Sequence, residues 1–487
     1  MPSAFEHILQ SSESKILEFK RDMSSPRNFL KTLVAFANTA GGRLVFGIDD
    51  QKNLIGVDQP LDEEERLCSL VADAIAPRLV PNIEFITVEG KTLLTVEVFL
   101  SGQRPHYLKS EGPGKGVYVR LGSTNRLADR ELVAELRRSA EGISFDELPM
   151  SGLSVGDLDL AAARDLFGKE RTLDENELQT LKLLTQDQGR TVPSKGGILL
   201  FGKERERHFS DAWVQCGRFV GLDKADIFDH TELHDHLPQA IDSVMLFLKK
   251  HAMRGADFSE IRRKDVWSIP LGILRELVIN ALVHADYSQR GAPIRVAFFD
   301  DRIEVENPGI LLPGMTVEDM KQGISKIRNH VIARVFRELN LIEQWGSGVP
   351  RIFREARELG LPELEILEVG MRLRGVVRLT EQIKIEKNVT PTQSPTQSPT
   401  KTAIDQENPM RIFLKPLEDR DRSTLELMEH MGLKHRASFR ENYLHPALEK
   451  GYIQRTIPDK PSSRKQKYRL TLKGHQFLNS ENHNTEI

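Results

Sequence analysis

Residues 35–50 read AFANTAGGRLVFGIDD. The apolar end of a helical pattern reaches Asn38, Gly41-Gly42 breaks it, and RLVFGID over Arg43–Asp49 is a short apolar run of the kind buried strands carry. Upstream, ILEFKRD (Ile16–Asp22) alternates as a strand does, and Ser24 and Ser25 before Pro26 fit a helix cap with proline in the first turn. Downstream the pattern predicts a helix over Asp62–Leu79 and a hairpin over Asn82–Leu100 turning at Glu89-Gly90-Lys91. A strand at Gly116–Gly122 and a closing helix at Asp129–Arg138 follow. This order predicts a compact α/β unit over residues 1–140.

Further along, residues 150–265 read as a helical and mixed bridging region, with a strand-like GGILLFG at Gly196–Gly202. Residues 266–380 predict a long helix, a strand pair and a second helix framed by glycines. Residues 390–400 read TPTQSPTQSPT; proline at every fourth position and nothing apolar to bury predict an extended tether, within a linker over 381–407. Residues 408–475 then form a separate module, and 476–487 a tail without fixed structure. The fold class expected is α/β and multidomain.

Chemistry is suggested at three places. In ESKILEFK (Glu13–Lys20), Glu18 and Lys20 share a strand face because the side-chain period is two, and the preceding corner can bring Glu13 beside them. Asp49 and Asp50 end the neighbouring strand. Carboxylates gathered from adjacent elements suit Mg²⁺ or Mn²⁺ in phosphodiester cleavage. A salt-bridged surface with Glu18 paired to Lys20 or Arg21 accounts for the same residues.

The second place is ILRELVINALVHADYS (Ile273–Ser288). Leu274, Leu277, Val278, Ala281 and Leu282 form an apolar helix face, and Glu276, Asn280 and His284 a polar stripe at four-residue spacing. An asparagine carbonyl can complete a Mg²⁺ shell, and a glutamate one turn earlier can orient a water; a solvated helix face carries the same stripe. His284 lies within this helix rather than on a separate dimerisation helix, so a phosphoacceptor role is rejected. FFDDRIEVENPGILLPG (Phe298–Gly314) gives a strand and a turn rich in Pro and Gly. Residues 328–361 give a helix, a Gly346–Gly348 loop and another helix. Glycines at a helix N-terminus offer N–H groups and a favourable dipole to phosphate.

Third, residues 421–474 read as two helices and a two-stranded hairpin. Residues 455–473 hold seven Lys/Arg against one acid, Asp459. Such a hairpin attracts phosphates, with affinity falling as salt rises. Arg436, Ser438, Arg440 and Asn442 on the second helix are placed to reach base edges; a winged helix used for protein contacts is the alternative.

Across the 487 residues, 68 Lys+Arg against 71 Asp+Glu give a formal charge of −3, with 39% apolar and 29% charged residues. That excludes a wholly disordered or collagen-like chain. No apolar run approaches the roughly 18 residues of a membrane span, no secretory leader is read, and two cysteines cannot make a disulfide framework. A cytoplasmic protein with no membrane partner is expected. No GxxxxGK[ST] loop occurs, which argues against a helicase.

ESKILEFK, AFANTAGGRLVFGIDD and GVYVRLGSTNRLA (Gly116–Ala128) together resemble the Schlafen or AlbA-2 domain, over residues 10–135. The resemblance implies nucleic-acid binding, with Lys20, Arg21, Arg120 and Arg126 as phosphate contacts. Carried over from Schlafen ribonucleases, it places the functional carboxylates at Glu13, Glu18 and Asp50. The 273–361 series resembles the divergent Bergerat-type ATP-binding domain attached to such modules. It implies ATP and Mg²⁺ as cofactors, Glu276 and Asn280 on the metal helix, and Gly346 and Gly348 as phosphate-loop glycines. Asn307 and Gly309 stand where the wider class has an adenine-reading aspartate and its glycine; Asn can accept that hydrogen bond, without charge. YLHPALEKGYI and TIPDKPSSRKQKYRLT resemble the winged helix-turn-helix tail of some bacterial Fic-family and Schlafen-type regulators, with Arg464, Lys465 and Lys467 at phosphates.

The expected function is an ATP-binding, nucleic-acid-binding regulator of transcriptional-regulator type, with DNA ahead of RNA as partner. The alternative is an ATP-gated, metal-dependent nuclease acting on RNA or DNA, suited to phage defence. A homo-oligomer is expected because winged-helix and Bergerat-fold proteins often work as dimers.

Overall fold

The computed structural model describes residues 11–168, 171–252, 254–257, 264–342, 347–383, 413–430, 443–457 and 466–479. It divides into two compact units, Met1–Asn388 and Val389–Ile487.

The first unit begins with a four-stranded sheet of order β1-β2-β4-β3, built from β1 (Leu17–Lys20), β2 (Gly42–Phe46), β3 (Asn82–Val88) and β4 (Lys91–Val98). β1 and β2 are parallel and the other pairs antiparallel. The hairpin turns at Glu89-Gly90, as its sequence predicts. Helix α1 (Pro26–Asn38) covers one face. Ser25 occupies its cap position but makes no side-chain cap bond, so Pro26 with its preset φ opens the helix. The second half of α1 is buried all round because the sheet lies on one side and the hairpin of β5 (Tyr118–Leu121) and β6 (Thr124–Leu127) on another. Asn38 sits in that interface with its amide donating to the His106 and Tyr118 carbonyls, both at 2.9 Å, and its oxygen accepting from His106 N–H at 2.7 Å. Helix α2 (Pro60–Ala74) stops before the expected Leu79, since Pro77 disfavours a helical Ala76, and Ile75–Ala76 pairs with Tyr107–Leu108 instead. Helix α3 (Arg130–Glu141) starts on the Asp129 side chain, which accepts from Leu132 N–H at 2.8 Å.

The second layer is a six-stranded sheet of order β8-β7-β9-β10-β12-β11. Its strands are β7 (Val214–Val220), β8 (Asp226–Leu233), β9 (Ile294–Phe298), β10 (Arg302–Pro308), β11 (Glu365–Val369) and β12 (Arg372–Arg378). Two of these strands come from the 150–265 segment expected to be a bridge; they belong to the central sheet itself. The expectation of a strand at 196–202 is corrected: Lys195–Phe201 is a helix, α4, started by the Ser194 hydroxyl accepting from Gly197 N–H at 2.9 Å. A helix buried on every side has no polar face, so its sequence reads as the continuous apolar run of a buried strand. Helices α5 (Leu237–His251) and α6 (Leu271–His284) pack with Ile303 and Val305 of β10 into the main core. On the opposite face Glu304 and Glu306 pair with Arg302, Arg372 and Arg374, the alternation a one-sided sheet requires. Helices α7 (His330–Glu338) and α8 (Gly348–Glu358) complete this layer.

In the second unit, β13 (Arg422–Ser423), β14 (Ile453–Arg455) and β15 (Lys467–Leu470) form a sheet of order β13-β15-β14. With it are helices α9 (Thr424–His430), α10 (His445–Glu449) and α11 (Leu472–Asn479). Tyr468 and Leu470 point into a core with Phe413, Leu427, Leu444 and Ile453, while Lys467 and Arg469 face outward. Among the described residues no helix is long and apolar enough to cross a membrane.

Candidate functional site

A cavity of 410 Å³ lies between α6, the end of β10, the 309–328 segment and the start of α8. Glu276, Asn280, Asn307, Gly309 and Gly348 all line it, so five of the six residues expected to meet at a nucleotide come together; the sixth, Gly346, lies outside the described residues, and His284 of the same helix stripe lines the cavity too.

Helical spacing sets the first wall. Asn280 Nδ2 donates to the Glu276 carbonyl oxygen and to Glu276 Oε1, each at 2.9 Å, so Oδ1 is the atom left to accept or coordinate. Glu276 Oε2 accepts from Arg351 Nη2 at 2.8 Å, joining α6 to the first turn of α8. A Cβ on Gly348 would lie 2.0 Å from Glu276 Oε1, so a side chain at 348 would expel this carboxylate from its place. Glu276 is thus held by a cation and an amide, and stands less like a general base than like a strut.

Asn307 forms the second wall. It is 5% exposed, and its Nδ2 donates to the Pro308 carbonyl at 3.0 Å, leaving Oδ1 as its acceptor. Gly309 takes φ +97°, and a Cβ there would lie 1.9 Å from Arg328 Nη1. Burial, with the Arg328 charge adding to it, pushes His284 down to about 4, so this imidazole is neutral at physiological pH. Leu277, Ile310, Met315, Ile324, Val349 and Leu373 give much of the remaining lining an apolar surface, and Lys326, Arg328, Arg337 and Arg351 bring cations to its edge. An apolar slot with a few amides and backbone groups at its ends suits a purine nucleotide.

Sequence reasoning missed the residues that close this pocket against the N-terminal domain. Arg328 is buried, pairs with Glu135 of α3 at 3.3 Å and donates to the Ile310 carbonyl. Lys15 pairs with Glu368 at 2.8 Å, both buried, and Glu368 also accepts from Leu311 N–H at 2.8 Å. Gly314 N–H donates to the Thr39 carbonyl at 2.6 Å. Each contact joins segments far apart in sequence, and no local pattern marks them.

The N-terminal carboxylates are arranged otherwise than a metal site needs. Glu18 is 7% exposed and pairs with Lys20 at 2.6 Å and with Arg120, while Thr32 donates to it at 3.4 Å. Glu13 is exposed, and its Oε1 accepts from Phe19 N–H at 2.9 Å. Asp50 is exposed in the turn after β2, where Asp49 rather than Asp50 ties the loop through Asn53. Among the described residues no group of three or more His, Cys, Asp or Glu is placed to hold a metal ion. The expectation of a gathered Glu13–Glu18–Asp50 site is therefore corrected: Glu18 turns inward to neutralise a buried guanidinium.

Arg120 is likewise corrected as a phosphate contact. It is fully buried, donating to the Ser14 carbonyl at 3.1 Å, to Asn125 at 3.1 Å and to the Leu17 carbonyl at 3.3 Å. Lys20 is part-buried against Glu18, while Arg21 and Arg126 are exposed. In the second unit Lys467 and Arg455 are both exposed, whereas Arg469 is taken by Asp421 at 2.6 Å. Arg436, Arg440, Arg464 and Lys465 lie outside the described residues.

Comparison with known proteins gives three family matches. Residues 13–129 match Schlafen, AlbA_2; residues 291–377 match the putative ATP-dependent DNA helicase recG C-terminal model; and residues 408–471 match the C-terminal domain of Fic-like proteins (filamentation induced by cAMP). No curated protein matches the chain. Among solved structures, the DIP2311 protein from Corynebacterium diphtheriae is 18% identical over 97% of both chains, with a TM-score of 0.41. The N-terminal domain of a putative ATP-dependent DNA helicase RecG-related protein from Nitrosomonas europaea is 30% identical. That match covers 25% of this chain and 88% of the other, with a TM-score of 0.21.

Proposed function

We propose, for a chain whose residues 13–129 match Schlafen, AlbA_2 and whose residues 291–377 match the recG C-terminal model, an ATP-binding regulator that acts on nucleic acid, DNA ahead of RNA. The observation that carries this reading is the convergence of Glu276, Asn280, Asn307, Gly309 and Gly348 on one largely apolar cavity. Asn280 Oδ1 would hold Mg²⁺, Asn307 Oδ1 would accept from the adenine amino group, and the start of α8 would face phosphate. Bound Mg²⁺ would neutralise phosphate charge there. With Glu276 committed to Arg351 and Asn280, the pocket is read as one that binds nucleotide and uses occupancy as a signal. A ligand shifts an equilibrium only by its differential affinity for two arrangements. The 309–328 wall supplies the means, since it lines the pocket and also touches the N-terminal domain through Arg328 and Gly314.

Nucleic acid would be held by Arg21 and Arg126 on the first domain and by Lys467 with its basic hairpin on the last, read here as a winged helix. The nuclease alternative is disfavoured by the inward Glu18–Arg120 pair.

Thermal shift with Mg·ATP tests the pocket. The wild-type chain is expected to be stabilised and Asn280→Ala to lose the shift; an unchanged shift in the variant overturns the assignment. Gel assays with labelled RNA and DNA in Mg²⁺ or Mn²⁺ test the alternative. Asp50→Asn and Glu13→Gln are the informative variants, since Glu18→Gln would confound cleavage with unfolding. Cleavage by the wild type that either variant abolishes would make the chain a nuclease.

A further inference from the structure

A second cavity, of 370 Å³, opens between α3 of the N-terminal domain and the 312–330 segment. Arg104, Arg138, Lys326 and Arg328 line it against two carboxylates, Glu135 and Asp286. Asp286 is already occupied, accepting from the Ser288 hydroxyl at 2.5 Å and from Gln289 at 3.1 Å. Burial raises the Glu135 carboxyl to about 7, so near neutrality it supplies only part of a charge.

The cations are correspondingly short of charge partners: Lys326 donates to the Pro313 carbonyl at 2.8 Å, Arg104 to the Ser101 carbonyl and to Ser139, and Arg328 to the Ile310 carbonyl, all neutral acceptors. Arg328 is 7% exposed, and its Nε and Nη1 make no hydrogen bond although Glu135 lies 3.3 Å from Nε. Arg104 Nε is also buried without a hydrogen bond. Burial lowers the pKa of Lys326, and the facing Arg104 charge lowers it further. Arg138 meets the Phe145 ring, 5.3 Å from its centroid, and among the described residues forms no close ion pair. Unbonded buried donors and mutually repelling cations around an open space are stabilised by an anion rich in acceptor oxygens, and guanidinium forks match phosphate.

We infer that this interdomain cleft binds a small phosphate-bearing anion, at a site separate from the Asn280 pocket. The inference does not rest on the nucleotide reading. The volume admits a pyrophosphate or a phosphate monoester rather than a duplex. Leu312, Lys326, Ile327 and Arg328 line both cavities, so an anion in the cleft sets the position of one wall of the first pocket.

The test is calorimetric titration of the full chain with inorganic pyrophosphate at low salt, without ATP. The wild type is expected to bind; Arg138→Gln, which lines only the cleft, to weaken binding about tenfold; and Asn280→Ala to leave it unchanged. No binding by the wild type, full binding by Arg138→Gln, or loss in Asn280→Ala overturns the inference, the last by moving the phosphate to the first pocket. Should Arg138→Gln fail to fold, Lys326→Gln, an exposed change, is expected to weaken binding several-fold, and unaltered binding refutes the site. A single-stranded oligonucleotide that displaces pyrophosphate would assign the cleft to backbone phosphates and overturn the small-anion reading.

Discussion

Replacing Glu135 with Gln isolates the electrostatics of the interdomain contact. Its carboxyl stands at about 7 against the ordinary 4.5, chiefly through burial, with Arg328 pulling it down and Asp286 pushing it up. The folded protein therefore holds a proton here that the unfolded chain has released across roughly pH 4.5 to 7, and stability from this group falls as pH rises through that window. At about 1.4 kcal/mol per pH unit, the span corresponds to a loss of about 3 kcal/mol, complete above pH 7. Gln copies the neutral form at every pH. The stabilities of wild type and Glu135→Gln are expected to meet near pH 5 and to separate by about 3 kcal/mol at pH 8, the variant being the more stable. His284 and His106, whose depressed values act in the opposite sense at acid pH, cancel in the difference. Thermal unfolding from pH 5 to 8.5 reads this as a gap of several degrees. Coincident curves at pH 8, or a less stable variant there, refute the reasoning.

Arg120→Ala leaves buried Glu18 with only the part-exposed Lys20 as counter-ion and is expected to cost about 3 kcal/mol, read by chemical denaturation; a loss under 1 kcal/mol would show the Arg120 pair to be dispensable. Lys15→Met strands Glu368 in the same way, and adding Glu368→Gln is expected to recover part of the loss in a double-mutant cycle. Lys467→Gln is expected to weaken DNA retention for all sequences alike and to reduce the log–log salt slope by about 0.9. An unchanged slope removes Lys467 from the interface.

The local elements were legible because local physics makes them. Alternation placed Leu17 and Phe19 on one face of β1 and Glu18 and Lys20 on the other, and the Glu89-Gly90 turn fixed the register of β3 on β4. Helical periodicity likewise aligned Glu276, Asn280 and His284, and all three line one cavity. Where periodicity carries no information the reading failed. Lys195–Phe201, apolar on every side, looks the same as strand or helix, and only the Ser194 cap and the packing around it decide.

Partner choice is the part that tertiary structure alone settled. The one-residue alternation put Glu18 on a face, yet metal ligand and salt-bridge partner need the same face; Lys20 beside it, as the alternation allows, and Arg120, 102 residues away, together made it a salt bridge. The same holds for Arg328 with Glu135 and for Lys15 with Glu368, pairs separated by 193 and 353 residues. A charge in a sequence has a sign and a helix or strand face, but its desolvation and its counter-ion exist only once distant segments meet. The sequence by itself thus determined which elements form and which stripe faces the pocket, while burial decided which charged groups are architecture and which remain open to a ligand.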